Sequence, residues 1–136
     1  MTPFRLQIVT PLGTSFDGEA EAIHLRTTEG YVSIRAHHAD YIAAVDIGVI
    51  TLTRDGKERK AACGGGFLSV EKGQVRLVAV TFEYGDEIDI DRALQSKQWA
   101  EDRLAASKEP KELELAKSKL ERALTRLKAA EYKALS

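Results

Sequence analysis

The sequence predicts an α+β protein: an N-terminal antiparallel β-sandwich over residues 1–86, then a C-terminal two-helix antiparallel hairpin over residues 87–136. Three observations predict this. All ten glycines lie at or before Gly85, and the only later proline is Pro110. Glycine supplies the positive φ of hairpin turns and weakens helix interiors, so the asymmetry separates a turn-rich β part from a helical part. Apolar residues alternate with period two before the boundary and recur at three and four after it.

In the first part, Phe4, Leu6 and Ile8 share one face against Arg5 and Gln7. Ile23 and Leu25 alternate with His24 and Arg26, Val32 and Ile34 with Ser33 and Arg35, and Val75, Leu77 and Ala79 close the series. The runs end in turn signals, "TPLG", "FDG", "TEG", "RDGK" and "EKGQ". Short strands at this spacing predict a sandwich or flattened barrel. "CGGGF" lies between strand signals and reads as a tight turn.

In the second part the helical period predicts helices over about 91–107 and 111–133. "SKEPKE" interrupts them, because proline disfavours helix in the residue before it. Ala93, Ala100, Ala116, Ala123 and Ala130 supply much of the expected seam. Alanine allows close approach but buries little area, at about 0.8 kcal/mol per methylene-sized group. Such a seam fits a hairpin that opens; a permanently closed small-residue interface is the alternative. Asp89 or Asp91 can cap the first helix, although no capping box is present, since Arg92 stands three residues after Asp89.

Composition narrows the function. The chain is 43% hydrophobic and 30% charged, with a formal net charge of −1. That balance predicts no bulk binding to nucleic acid or to a membrane surface. Residues 1–87 carry nine Lys/Arg against twelve Asp/Glu, and residues 88–136 eleven against nine, so the helices are mildly basic. No apolar run approaches the roughly 20 residues that cross a bilayer, so no direct membrane insertion is expected. "MTPFRLQIVT" does not read as a signal peptide. The one cysteine, Cys63, reads as a small buried hydrophobe in a reducing compartment. Adjacent histidines His37 and His38, taken as strand residues, would point to opposite faces, and no metal site is expected. No G-x-x-x-x-G-K-[ST] loop, Mg²⁺ carboxylate set or positioned base is visible, so the chain is not expected to be an enzyme by itself.

"VTPLG" at 9–13, "GGGFLSV" at 64–70 and "EIDIDRAL" at 87–94, in that order and spacing, resemble the epsilon subunit family of the rotary (F-type) ATP synthase. The resemblance runs the whole length. It implies a non-catalytic central-stalk subunit whose β domain docks on the gamma subunit and the c ring. The hairpin, when extended, would insert toward the alpha and beta subunits and block ATP hydrolysis, with Lys119, Arg122 and Arg126 meeting acidic loops of beta. The implied location is peripheral, on the cytoplasmic face of the bacterial cell membrane, within a proton-driven synthase.

Members that bind ATP as a regulatory ligand carry a signature matched here by Ile88, Asp89, Arg92 and Ala93. Glu83 matches a position at the adenosine end, and Arg122 and Arg126 match basic positions facing the phosphates. The resemblance therefore implies an ATP site, with or without Mg²⁺, that holds the hairpin closed. Two departures stand out. Where ATP-binding members tend to carry another arginine, two turns after Arg92, this chain has Trp99. The loop that family members place near the c ring reads "GYVSIRAHH" here, leaving Tyr31 and His38 as its contacts without the usual acid. A stand-alone nucleotide-sensing module using the same hairpin is the alternative, and co-purification with gamma separates the two.

Overall fold

Eight strands follow one another in the computed structural model, which describes residues 2–131. They are β1 (Phe4–Thr10), β2 (Gly13–Ala20), β3 (Ala22–Thr27), β4 (Gly30–Ile34), β5 (Tyr41–Arg54), β6 (Lys57–Glu71), β7 (Gln74–Ala79) and β8 (Phe82–Tyr84). They pair in the order β2-β1-β7-β6-β5-β3-β4, with β8 on β6. Every pair is antiparallel except β1 with β7, which runs parallel from Arg5↔Gln74 to Val9↔Val78. The alternation read from sequence fixes the inward faces. Leu6, Ile8, Ile23, Leu25, Leu68 and Leu77, drawn from both ends of the strand order, are fully buried in one cluster, so the sheet closes over itself as a sandwich.

Two expected turns are strand instead. "FDG" lies inside β2, where Gly18 pairs with Leu6. "CGGGF" lies inside β6, where the chain from β7 to β8 passes alongside. Gly64 donates its N–H to the Thr81 carbonyl, and Val80 donates to the Gly65 carbonyl, both at 2.9 Å. A Cβ on Gly66 would stand 2.0 Å from the Val78 carbonyl oxygen. The glycines permit close backbone approach rather than a reversal, which local composition does not distinguish. The paired histidines are also not on a strand: they follow β4 in a turn, with His37 at φ 66°.

Cys63 is buried beside this glycine segment, and burial pushes its thiol up to about 11. At pH 8 roughly one thiol in a thousand would then be thiolate, the form that reacts. Alkylation by iodoacetamide at pH 8 is expected to be at least about a hundredfold slower in the folded chain than in denaturant. A rate within tenfold of the denatured chain would contradict this placement.

After a 3-10 turn at Gly85–Glu87 come helices α1 (Ile90–Ala106) and α2 (Pro110–Ala129). Asp89 is the α1 N-cap, its carboxylate accepting from the Arg92 N–H at 3.1 Å. Pro110 occupies the first turn of α2, where its missing N–H costs nothing. Helix α2 ends earlier than the periodicity predicted; residues 132 and 133 lie outside the described residues. α2 lies against β5 and β6 on one side and α1 on the other, so the hairpin is folded back on the sandwich. Ala93, Ala100, Ala116 and Ala123 are buried, together with Leu127. Ala130 is not part of that seam. It packs with buried Ala129, Ile88 and Ala62, joining the end of α2 to the sandwich.

Candidate functional site

Folding the hairpin back leaves a cleft of about 790 Å³ between the sandwich and the helices. Its floor is the Ala62–Gly64 part of β6 with Val80–Glu83, one wall is the β1–β2 turn, and the other is helical. Arg92 and Ser96 enter from α1, and Lys119, Arg122 and Arg126 from α2. The α2 cations sit at three- and four-residue spacing, which stacks them on one helix face.

Charge in the cleft is unevenly compensated. Arg126 is half-buried and donates to Glu83 of β8, Nε to Oε1 at 2.8 Å and Nη2 to Oε2 at 3.4 Å. Arg92, Lys119 and Arg122 have no carboxylate partner among the described residues. Lys119 instead places its Nζ 4.3 Å from the centre of the Trp99 ring, which also receives Arg103 at 5.0 Å. Arg103 is tied across the hairpin to Glu112 at 2.7 Å.

Below the cleft, the chain linking sheet to helix is pinned. Arg59 lies 3.5 Å over the Tyr84 ring and pairs with Asp86 at 2.8 Å and Glu87 at 3.2 Å. Hydrogen bonding to Arg59 holds the Asp86 carboxyl below the usual carboxylate range. Gly85 is buried against the end of α2, and Arg26–Glu121 and Lys60–Glu131 add exposed ion pairs between sandwich and hairpin.

Of the expected nucleotide residues, Glu83, Arg92, Arg122 and Arg126 share the cleft. Ile88, Asp89 and Ala93 are not in its lining. Ile88 packs on Ala62 and Ala129, Asp89 caps α1, and Ala93 is buried in α1, so "EIDIDRAL" builds the helix start from which Arg92 projects. Lys119, expected only as a contact to another chain, is also a cleft residue. Its helical spacing from Arg122 and Arg126 was the available signal.

Tyr31 and His38, expected at the c ring, have separate surroundings. Tyr31 is exposed on edge strand β4 and stacks on His24, with ring centroids 5.5 Å apart. His38 lies beyond the other end of β4, where its Nδ1 is 2.7 Å from the accepting Ala39 carbonyl oxygen and its ring meets Tyr41 edge-on. Elsewhere the sandwich carries an apolar row that sequence alone did not single out. Ala44, Phe67, Val78 and Val9 are consecutive cross-strand partners on β5, β6, β7 and β1. Phe67 is 65% exposed, Val78 45% and nearby Ile42 78%. Alternation showed which residues face the core, but not that their outward neighbours would line up as an apolar surface.

The family described as the beta-sandwich domain of the ATP synthase Delta/Epsilon chain matches residues 3–85. Its long alpha-helix domain matches residues 86–131. The ATP synthase epsilon chain of Caldicellulosiruptor bescii is 38% identical over 131 residues, covering 96% of each chain. That of Ruminococcus albus is 37% identical, covering 98% of this chain and all of the relative. Among solved structures, a chain of the Euglena gracilis mitochondrial ATP synthase superposes with a TM-score of 0.82 at 21% identity, over 97% of this chain and 83% of that one. A chain from the Tetrahymena thermophila mitochondrial ATP synthase central stalk and c ring gives 0.62 at 15% identity, covering 92% and 94%. These structural likenesses agree with the fold.

Proposed function

The chain belongs to the ATP synthase delta/epsilon family, as a non-catalytic epsilon-type subunit of that complex, and we propose that it is a rotor-stalk subunit whose hairpin restrains ATP hydrolysis under the control of bound ATP. The observation that carries this is the cleft. Three cations without carboxylate partners among the described residues, Arg92, Lys119 and Arg122, face one space with Arg126. Like charges there repel, and a polyanion relieves the repulsion while accepting charge-assisted hydrogen bonds from them. The cleft volume falls within the usual ligand range of roughly 300–1,000 Å³. ATP supplies the negative charge, held by Arg92, Arg122 and Arg126, with Glu83 on the adenosine side.

The same residues define the switch. Lys119, Arg122 and Arg126 face the cleft when the hairpin is folded, and would face acidic loops of beta when it is extended. They cannot do both at once. A ligand that engages them against the sandwich has differential affinity for the folded state and shifts the population toward it. Folded would be the permissive state, extended the inhibitory one toward alpha and beta.

The β domain would dock on gamma through the Ile42, Phe67 and Val78 surface, with Tyr31 and His38 toward the c ring. An apolar patch of this kind on a polar chain fits a protein partner. Phe67→Glu is expected to leave the isolated fold intact, since the side chain is exposed, and to weaken pull-down by gamma about tenfold or more. Unchanged binding would move the interface elsewhere. Among the described residues no helix is long and apolar enough to cross a membrane, and association with the cytoplasmic face would come through the complex. Calorimetric titration of ATP into the chain, with and without Mg²⁺, tests the nucleotide part. Saturable one-to-one binding is expected; no binding up to millimolar ATP would leave the hairpin governed by protein contacts and rotation alone.

A further inference from the structure

The cleft places its α2 cations in a fixed sequence relative to Glu83. Arg126 touches Glu83, Arg122 stands one turn away, and Lys119 almost a further turn beyond. Seven residues of helix from Arg126 to Lys119 correspond to a rise of about 10 Å. If Glu83 marks the adenosine side, Lys119 lies at the far end of the row, where the last phosphate of a triphosphate would sit. Lysine on a flexible stem is ordinarily a poor fixed contact, because ordering it costs side-chain entropy. Here that stem is braced: Nζ rests 4.3 Å from the Trp99 ring centre, and the same ring lies 5.0 Å from the Arg103 guanidinium, itself tied to Glu112. The ring attracts the ammonium without neutralising it, so the charge stays available to an anion.

We propose that Lys119 is the terminal-phosphate residue of this cleft and sets its preference for ATP over ADP, with Trp99 as the positioning residue that braces it. The proposal rests on the nucleotide reading given above. It assigns to a residue pair the role of selecting triphosphate, and gives Trp99 a purpose where a further cation would otherwise be expected. The pair also supplies its own reporter. Trp99 is the chain's only tryptophan, so withdrawal of Lys119 from its ring toward a phosphate must change the emission of a single fluorophore.

The test uses the full chain, titrated with ATP and with ADP by calorimetry and by tryptophan emission. Wild type is expected to bind ATP tighter than ADP, with an emission change on ATP larger than on ADP. Lys119→Ala is expected to weaken ATP about tenfold, the lower range for a hydrogen bond to a charged group, while ADP changes less than about threefold. Trp99→Leu, which removes the ring, should weaken ATP in the same selective way, and Trp99→Phe, which keeps a ring, should recover most of it. Circular dichroism identical to wild type excludes misfolding; a misfolded Lys119→Ala is replaced by Lys119→Gln for the same comparison. Equal loss for ATP and ADP, or no loss for either, overturns the Lys119 assignment while leaving nucleotide binding in place. Selective loss in Lys119→Ala with Trp99→Leu unchanged overturns the bracing role. Absence of binding by wild type to both nucleotides defeats the nucleotide reading and this inference together.

Discussion

Arg126→Ala is expected to lower ATP affinity by about ten- to a hundredfold and to abolish nucleotide-driven compaction. A hydrogen bond to a charged group contributes about 1.5–3 kcal/mol, and tenfold in affinity corresponds to about 1.4 kcal/mol. Arg126 belongs in the upper part of that range because of where it sits. It is half-buried, whereas Arg92 and Arg122 are exposed, so its interactions are screened least by water and salt. Its guanidinium already holds β8 to α2 through Glu83 at 2.8 Å. The substitution therefore removes a sandwich-to-hairpin tie and, under the nucleotide site proposed above, a donor to phosphate at the same time. Arg126→Lys keeps the charge but loses the planar fork, and should fall between wild type and alanine. Arg122→Ala should cost less, since water competes for an exposed cation. Calorimetry reads the affinities and small-angle scattering the dimensions. Compaction by ATP that persists unchanged in Arg126→Ala would separate hairpin closure from this cleft.

Why some of this was legible in the sequence and some not follows from range. Period-two alternation and helical spacing are local, and they placed the buried faces of β1, β3, β4 and β7 and the course of both helices. The long strands β5 and β6 were not legible, because β6 carries the three consecutive glycines Gly64–Gly66 that local rules treat as a turn. Only the segments packed alongside, Val78–Thr81 at Gly64 and Gly66 and β5 at Val45–Ile47 for Gly65, explain why Cβ atoms are absent there. The fate of Ala130 was hidden for a related reason: its spacing fits the hairpin seam, but Ala62 of the sandwich and Ile88 of the link to α1 pack against it instead. At the site, the family resemblance pointed to Glu83, Arg122 and Arg126, and helical spacing put the two arginines on one face. The ion pair joining residues 43 apart in sequence could not be inferred from spacing, nor could the placement of Lys119 over Trp99, which depends on how α1 and α2 are rotated against each other.

Gly85→Val is expected to lift the end of α2 off the sandwich and so disable the cleft without touching any cation in it. A Cβ at Gly85 would stand 2.0 Å from the Ala129 carbonyl oxygen and 2.7 Å from its carbon. Both are backbone atoms, so no side-chain rotation relieves the clash; the helix end must move. Overpacking of this kind costs about 1–3 kcal/mol, occasionally more, and 3 kcal/mol is roughly a 150-fold shift in an open–closed equilibrium. Movement of the helix end would break the packing of Ala129 and Ala130 on Ala62, the Lys60–Glu131 pair, and the Glu83–Arg126 pair one turn back. The main sandwich cluster lies elsewhere, around Leu6, Ile8, Leu25 and Leu68, and should keep its cooperative unfolding. Gly18→Ala is the control, because a Cβ there meets only the Phe16 ring at an ordinary 3.6 Å. Scattering should report a larger radius of gyration for Gly85→Val alone, with ATP affinity reduced although every cleft residue is retained. In the assembled complex the released hairpin should inhibit hydrolysis more strongly at a given ATP concentration, since ligand must then overcome the added cost of closure. An unchanged radius together with wild-type ATP affinity would mean that the Gly85–Ala129 approach does not hold the hairpin down, and closure would have to be assigned to the alanine-lined contact of α2 with β5 and β6.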